Sequence, residues 1–293
     1  MIISFFYPVQ YEGIEASKNI IYTGASPNQQ IVPSIFWAFK NLGTKFFLVG
    51  SDYVFPRVAN TIIKAQVASL GGKIVGEEYI PLGGQDVIKI IEKIQQAKPD
   101  VILNTINGDT NIVFFKELRK CGITPSKIQT ISFSISENEL LHLDLQDMIG
   151  DYAAWNYFQS INSPTNAKFL VNVKKLYPTR TTVSDPMEAA YFGVYLWARA
   201  ATEARSVDPK EVRRVIGSQS FPAPEGTIYI DPENNHTWKF VRIGKIRFDG
   251  QISIVWDSEK QIKPEPFLSF KNKDEWERLL KDLYEGWGKK WAK

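Results

Sequence analysis

The feature that most constrains this chain is a rhythm: across residues 41–155, short apolar runs alternate with amphipathic stretches. Apolar runs at 45–49, 73–79, 101–104, 129–133 and 151–155 predict strands, and 56–70, 85–97 and 110–121 predict the helices between them. Within 87–94, Val87, Ile90, Ile91 and Ile94 fall three and four apart, which places them on one helix face over a sheet. Gly71-Gly72 and Lys98-Pro99 punctuate the units. Such alternation specifies an α/β fold with a mostly parallel, helix-covered sheet.

A second unit brackets the first. Residues 5–9 and 20–23 predict two early strands; 186–204 and 209–218 predict helices; 227–256 is rich in strand signals, with hairpin turns at Asn234-Asn235 and Asp249-Gly250. Trp276, Leu279, Leu280, Leu283 and Trp287 recur at helical spacing, so the tail should dock as an amphipathic helix with its tryptophans as packing. A chain that enters one lobe, leaves and returns builds two lobes on hinge strands, with a cleft between them. The expected division is 1–29 plus 182–250 for a first lobe, 30–181 for a second, and 251–293 for the return and the C-terminal helix. Two early strands fall short of the about four to six of a stable open sheet, so the first lobe is expected to be partial.

Composition narrows the function classes. At 293 residues with 44% hydrophobic and 13% aromatic content, the chain can bury sizeable cores, which disfavours disorder. A net charge of +3 with no basic stripe makes nucleic acid an unexpected partner. No apolar run approaches the roughly 18 residues of a membrane helix, so the chain is not expected to span a bilayer. Met1 is followed by a strand-like stretch without a basic region or cleavage site, and no secretion signal is readable. Cys121 is the single cysteine, expected to pack at a helix end.

Chemistry-bearing patterns are sparse. His142 and His236 are the two histidines and read as surface or turn residues, too few for a zinc set and without a visible nucleophile partner. The corners at 82–85 and 107–110 match neither phosphate-binding fingerprint. Residues 104–109 lie past a predicted strand's carboxyl end, where ligands of open α/β sheets collect. No catalytic residue, metal or cofactor is therefore expected. Polar and aromatic residues instead cluster at 7–13, 50–55 and 184–188. A small planar amide offers N–H donors and one C=O acceptor, so its pocket needs carboxylate or carbonyl acceptors, a hydroxyl or amide donor and aromatic walls. Those segments hold all three, although structural corners and core tyrosines are the commoner source of such clusters.

The strings FYPVQYEG (6–13), YTGASPNQQ (22–30), VGSDYVFPR (49–57), DYAAWNYFQSI (151–161), SDPMEAAYFGVYLW (184–197) and DPENNHTWKFVRIG (231–244) resemble the urea-binding component of urea ABC transporters. More distantly they resemble the amide sensor of bacterial amidase operons. The resemblance implies a type I periplasmic-binding-protein fold: two Rossmann-like lobes with parallel sheets, three hinge crossings, and a first lobe incomplete because relatives carry further residues in front. It implies no enzyme, but a solute-binding protein for urea or a short-chain amide, working in the periplasm with the transporter's membrane subunits. The alternative is a cytoplasmic sensor acting through a protein partner. Tyr7 and Tyr53 match pocket tyrosines of the family, Val9 and Gln10 match adjacent pocket positions, and Ser184 and Asp185 match a hydroxyl and a carboxylate at the cleft. Phe55 departs, standing where the sensor has a tyrosine.

Overall fold

The computed structural model describes residues 5–179 and 182–293; residues 1–4 and 180–181, which fall in the expected lobes, lie outside the described residues. The chain opens with two short parallel strands, β1 (Phe5–Tyr7) and β2 (Ile20–Tyr22). It crosses to a larger unit through α1 (Ile31–Asn41), then β3 (Lys45–Ser51), α2 (Val54–Ser69), β4 (Lys73–Ile80), α3 (Ile88–Ala97), β5 (Val101–Thr105) and α4 (Thr110–Lys120). There follow β6 (Gln129–Ser132), two single helical turns, α5 (Glu137–Leu140) and α6 (Leu145–Met148), and β7 (Tyr152–Trp155). Helix α7 (Pro164–Leu176) leads back to the small unit, made of α8 (Asp185–Ala204), α9 (Pro209–Ile216), β8 (Ser220–Ala223), β9 (Gly226–Ile230) and β10 (Thr237–Trp238). The chain ends with β11 (Arg242–Ile246), β12 (Ile252–Asp257) and α10 (Lys273–Gly286).

The large sheet runs in the order β12-β11-β7-β6-β5-β3-β4. Its five strands β4, β3, β5, β6 and β7 pair in parallel, and β11 pairs antiparallel with both neighbours. Burial on both faces explains the unbroken apolar run in β3. Phe47 and Val49 enter one core with Ile91 and Ile94 of α3 and Phe114 of α4. Phe46 and Leu48, one residue out of phase, enter the other with Ile35 of α1, Ile62 of α2 and Trp276 of α10.

The predicted strands and helices of this unit all form, with ends displaced by up to three residues. Helices α1 and α7 were not predicted. Strand β11 lies inside the span expected for the first lobe, yet it pairs with β7 of the large sheet. The cause is the hairpin: its turn at Gly250, φ +74°, joins β11 to β12, so the two strands settle together on one sheet edge.

In the small unit β10-β9-β8 form an antiparallel sheet, and a bridge between Tyr22 and His236 brings β2 alongside. Helices α8 and α9 cover one face, where Phe192, Leu196 and Val212 pack on Ile21, Ile228 and Ile230. Three crossings link the units: after β2, after β7 and between β10 and β11. A single side chain ties them together. Asn156, just past β7, donates through Nδ2 to the carbonyls of Gln29 at 2.8 Å and Phe240 at 2.5 Å.

Candidate functional site

The segment after β1 folds back over the first crossing. The amides of Thr23 and Gly24 both donate to the Tyr7 carbonyl at 2.9 Å. Contact there is so close that a Cβ on Gly24 would stand 2.0 Å from the Val9 oxygen. Gly13 adopts φ +78°, and a Cβ on it would meet Pro27 at 2.2 Å, which accounts for the glycine that ends the YEG string.

This fold-back encloses a cavity of about 270 Å³ lined by Tyr7, Tyr11, Glu12, Glu15, Ile20 and Tyr22. Tyr7 stands at 89° to Tyr11, and Tyr11 stacks on Tyr22 at 5.1 Å between centroids. Tyr22 stacks in turn on His236 at 4.0 Å. His236, expected at the surface or in a turn, follows the turn at 232–234 and is fully buried. Its Nδ1 lies 2.8 Å from the Asn234 carbonyl and its Nε2 contacts the Tyr11 hydroxyl, a pattern that fits neutral imidazole donating from Nδ1. Burial pushes its pKa down to about 4. By contrast His142 is exposed, as is Cys121 at the end of α4.

The large unit contributes Tyr53, immediately before α2, and Asn107, just past β5. The Asn107 amide donates to Ser51 Oγ at 3.0 Å and its Nδ2 to the Thr105 carbonyl at 3.1 Å, which fixes the loop. Burial raises the Tyr53 phenol; Tyr7 and Glu12 raise it further, and a hydrogen bond with Asn107 opposes them. Burial and the charges of Glu12 and Glu15 also raise Tyr7. Burial, then Glu15, raises Glu12 against a hydrogen bond from its own amide. Tyr53 of the large unit is thus near enough to Tyr7 and Glu12 of the small one for them to raise its phenol, while of the expected site residues only Tyr7 lines the cavity. Glu12, Tyr11 and Tyr22 share the cavity with Tyr7, and Asn107 neighbours Tyr53, in the loop past a strand's carboxyl end where ligands of open sheets collect. Tyr11 and Glu12 lie in the polar and aromatic cluster at 7–13 but were not singled out there.

The other predicted residues stand differently. Gln10 Nε2 donates to the Phe133 carbonyl at 3.1 Å, bridging toward the large unit, while its Oε1 is buried without a partner. Val9 is 40% exposed. Ser184 is the residue before α8, buried and making no side-chain cap. Asp185 does not line the tyrosine cavity. Its Oδ2 accepts the amides of Asn156 at 3.0 Å and Tyr157 at 2.8 Å, and it belongs to a buried charge cluster at the crossings. Lys239 Nζ lies 3.2 Å from Glu225 and donates to the Thr23 carbonyl at 3.0 Å. Glu188 accepts the Glu225 amide at 3.2 Å. Arg242 reaches the Glu225 carbonyl at 2.9 Å and pairs with Asp257 at 2.7 Å. Burial raises all three carboxyls, Asp185, Glu188 and Glu225; Lys239, whose charge burial disfavours, is nevertheless raised by those carboxyls.

A larger groove of about 470 Å³ between α7 and α8 is lined mainly by apolar side chains, among them Phe169, Val173 and Met187, with Asn172, Tyr177 and Tyr191 as its polar-bearing residues and no carboxylate. Among the described residues no group of three or more His, Cys, Asp or Glu is placed to hold a metal ion, and no helix is long and apolar enough to cross a membrane.

A family model described as a periplasmic binding protein domain matches residues 4–273. The chain belongs to that family. It is 27% identical to the Leu/Ile/Val-binding protein homolog 6 of Brucella melitensis over 228 residues, 76% of this chain and 58% of that protein. A protein of Geobacillus stearothermophilus named limonene hydroxylase is 37% identical, but over 120 residues, 41% of this chain and 22% of the other. The chain therefore spans less than two thirds of the length of these curated relatives. Among solved structures, a solute-binding protein of an ABC transporter from Rhodopseudomonas palustris HaA2, in complex with p-hydroxybenzoic acid, aligns at TM-score 0.75 and 25% identity, covering 87% of this chain and 70% of that one. A leucine binding protein of Thermotoga maritima aligns at 0.71 and 19%, covering 82% and 68%. The periplasmic binding protein domain here has the type I fold, α/β with a mostly parallel large sheet.

Proposed function

We propose that this chain is the solute-binding part of an ABC transporter and holds urea or a short-chain amide between its two units. The observation that supports the reading is the cavity of phenols and carboxyls that Tyr7, Tyr11, Glu12, Glu15 and Tyr22 build just past β1, with Tyr53 of the large unit near enough to Tyr7 and Glu12 for them to raise its phenol. Phenol and carboxamide groups donate to the solute carbonyl, the Glu12 carboxyl and the Asn107 oxygen accept its N–H groups, and the rings limit its size. A ligand touching both units favours the closed arrangement about the Asn156 crossing, and the closed form is what the transporter's membrane subunits recognise, in the periplasm. The reading needs no bond-making step. Titration calorimetry with urea, acetamide, acetate, 4-hydroxybenzoate and leucine tests it. Urea and acetamide are expected to bind and acetate to fail; equal affinity for all three, or binding of the benzoate or leucine alone, refutes it.

A further inference from the structure

No lysine or arginine lines the tyrosine cavity, although two carboxyls do. Glu15 is exposed and accepts the Tyr22 hydroxyl. Glu12 is half-buried, and among the described residues its carboxyl has no hydrogen bond beyond its own backbone amide and no ion pair. A partly desolvated carboxylate without a counter-charge is costly, and a ligand that brings positive charge to it relieves that cost. Aromatic walls add to the same preference, because a ring face attracts a cation.

We propose that this cavity takes a planar nitrogen cation of the guanidinium or amidinium class in preference to its neutral amide counterpart, with Glu12 setting the preference. The inference rests on the solute-binding reading proposed above and moves its substrate class from the neutral amide to the cation of the same shape, at a cavity lined by residues of the small unit. Guanidinium keeps the plane and the N–H donors of urea, and replaces urea's acceptor, the C=O, with a further donor. Its bonds to Glu12 are charge-assisted, roughly twice as strong as neutral ones. A carboxylate solute would instead set like charges together.

Calorimetry on the full chain with millimolar guanidinium chloride, urea and sodium benzoate, at pH 7.5 and low salt, tests the preference, repeated with Glu12→Gln. Guanidinium should bind about tenfold tighter than urea, the excess of a charged over a neutral hydrogen bond, and Glu12→Gln should bring the guanidinium-to-urea ratio down about tenfold. Added sodium chloride should weaken guanidinium and spare urea, a readout that needs no variant should Glu12→Gln fail to fold. Urea binding with guanidinium no tighter, or a guanidinium affinity indifferent to salt, overturns the preference and leaves the amide reading intact. A ratio unmoved in folded Glu12→Gln overturns the role of Glu12. Benzoate binding with neither urea nor guanidinium overturns both readings.

Discussion

Two carboxyl groups, Asp185 and Glu12, sit at corresponding kinds of place, at or beside the ends of strands and helices near the crossings, and their fates differ. Asp185 is 1% exposed, and its oxygen is occupied by two amides in a cluster with Lys239, Glu225 and Glu188. Glu12 is half-buried on a cavity wall with no cation facing it. The first satisfies the fold's own donors; the second is left for donors from outside. What separates a hinge carboxyl from a ligand carboxyl is thus the inventory of partners that tertiary structure delivers, and a motif position alone does not supply it.

The largest effect that could break this comparison lies at Lys239. Lys239→Met removes the cation among three buried carboxyls and should cost about 3–5 kcal/mol, the usual penalty for stripping one partner from a buried pair. Chemical denaturation reads it. A loss below about 1 kcal/mol would mean the carboxyls are already neutral and need no cation, which would undo the contrast with Glu12.

The legible part of the molecule is the part whose contacts are local or periodic. In β3, Phe46 to Val49 face two cores by turns and read as one apolar run, and Val87 to Ile94 carry the period of a helix face. Helix α7 was missed although Ser163 caps it through the Asn166 amide and Pro164 opens it, a start signal that its lysine-rich body obscured. Helix α1 hides behind Pro33 and a stretch apolar on nearly every side. In the site, Tyr7 and Tyr53 entered through resemblance to known proteins. The partners of Asp185 lie at 156, 157, 239 and 242, and those of His236 at 11 and 22; no local pattern connects residues so far apart.

An intermediate effect distinguishes the two regions by pH. Neutral His236, with its pKa lowered to about 4 in the fold, titrates near 6.5 when unfolded. The unfolded chain takes the proton first, so stability is lost as pH falls from about 6.5 toward 4, by at most about 1.4 kcal/mol per unit. The hinge carboxyls, raised by burial, carry the opposite sign: their contribution is full below the unfolded value and shrinks as pH rises through the folded one. Thermal melts between pH 4.5 and 7.5 should show His236→Phe with a weaker acid loss than the unaltered chain. Equal slopes would place a charged histidine against Tyr22 and remove the cavity wall's share of the pH response.

The smallest effect is the sharpest, because it should touch binding alone. Tyr53→Phe keeps the ring beside Phe55, at 6.3 Å, and removes the hydroxyl that meets Asn107. The residue is half-buried, so its hydroxyl carries less of the fold than Lys239 does, and the melting temperature should barely move. If that hydroxyl donates to a bound amide, its loss should weaken urea by about 0.5–1.5 kcal/mol, roughly two- to twelvefold in Kd. Calorimetry beside a melt separates the outcomes: lower affinity with intact stability assigns Tyr53 to the ligand. Lost stability with intact affinity would move Tyr53 to the side of Asp185, a residue spent on the fold, and the cleft would then have to draw its large-unit donor from elsewhere.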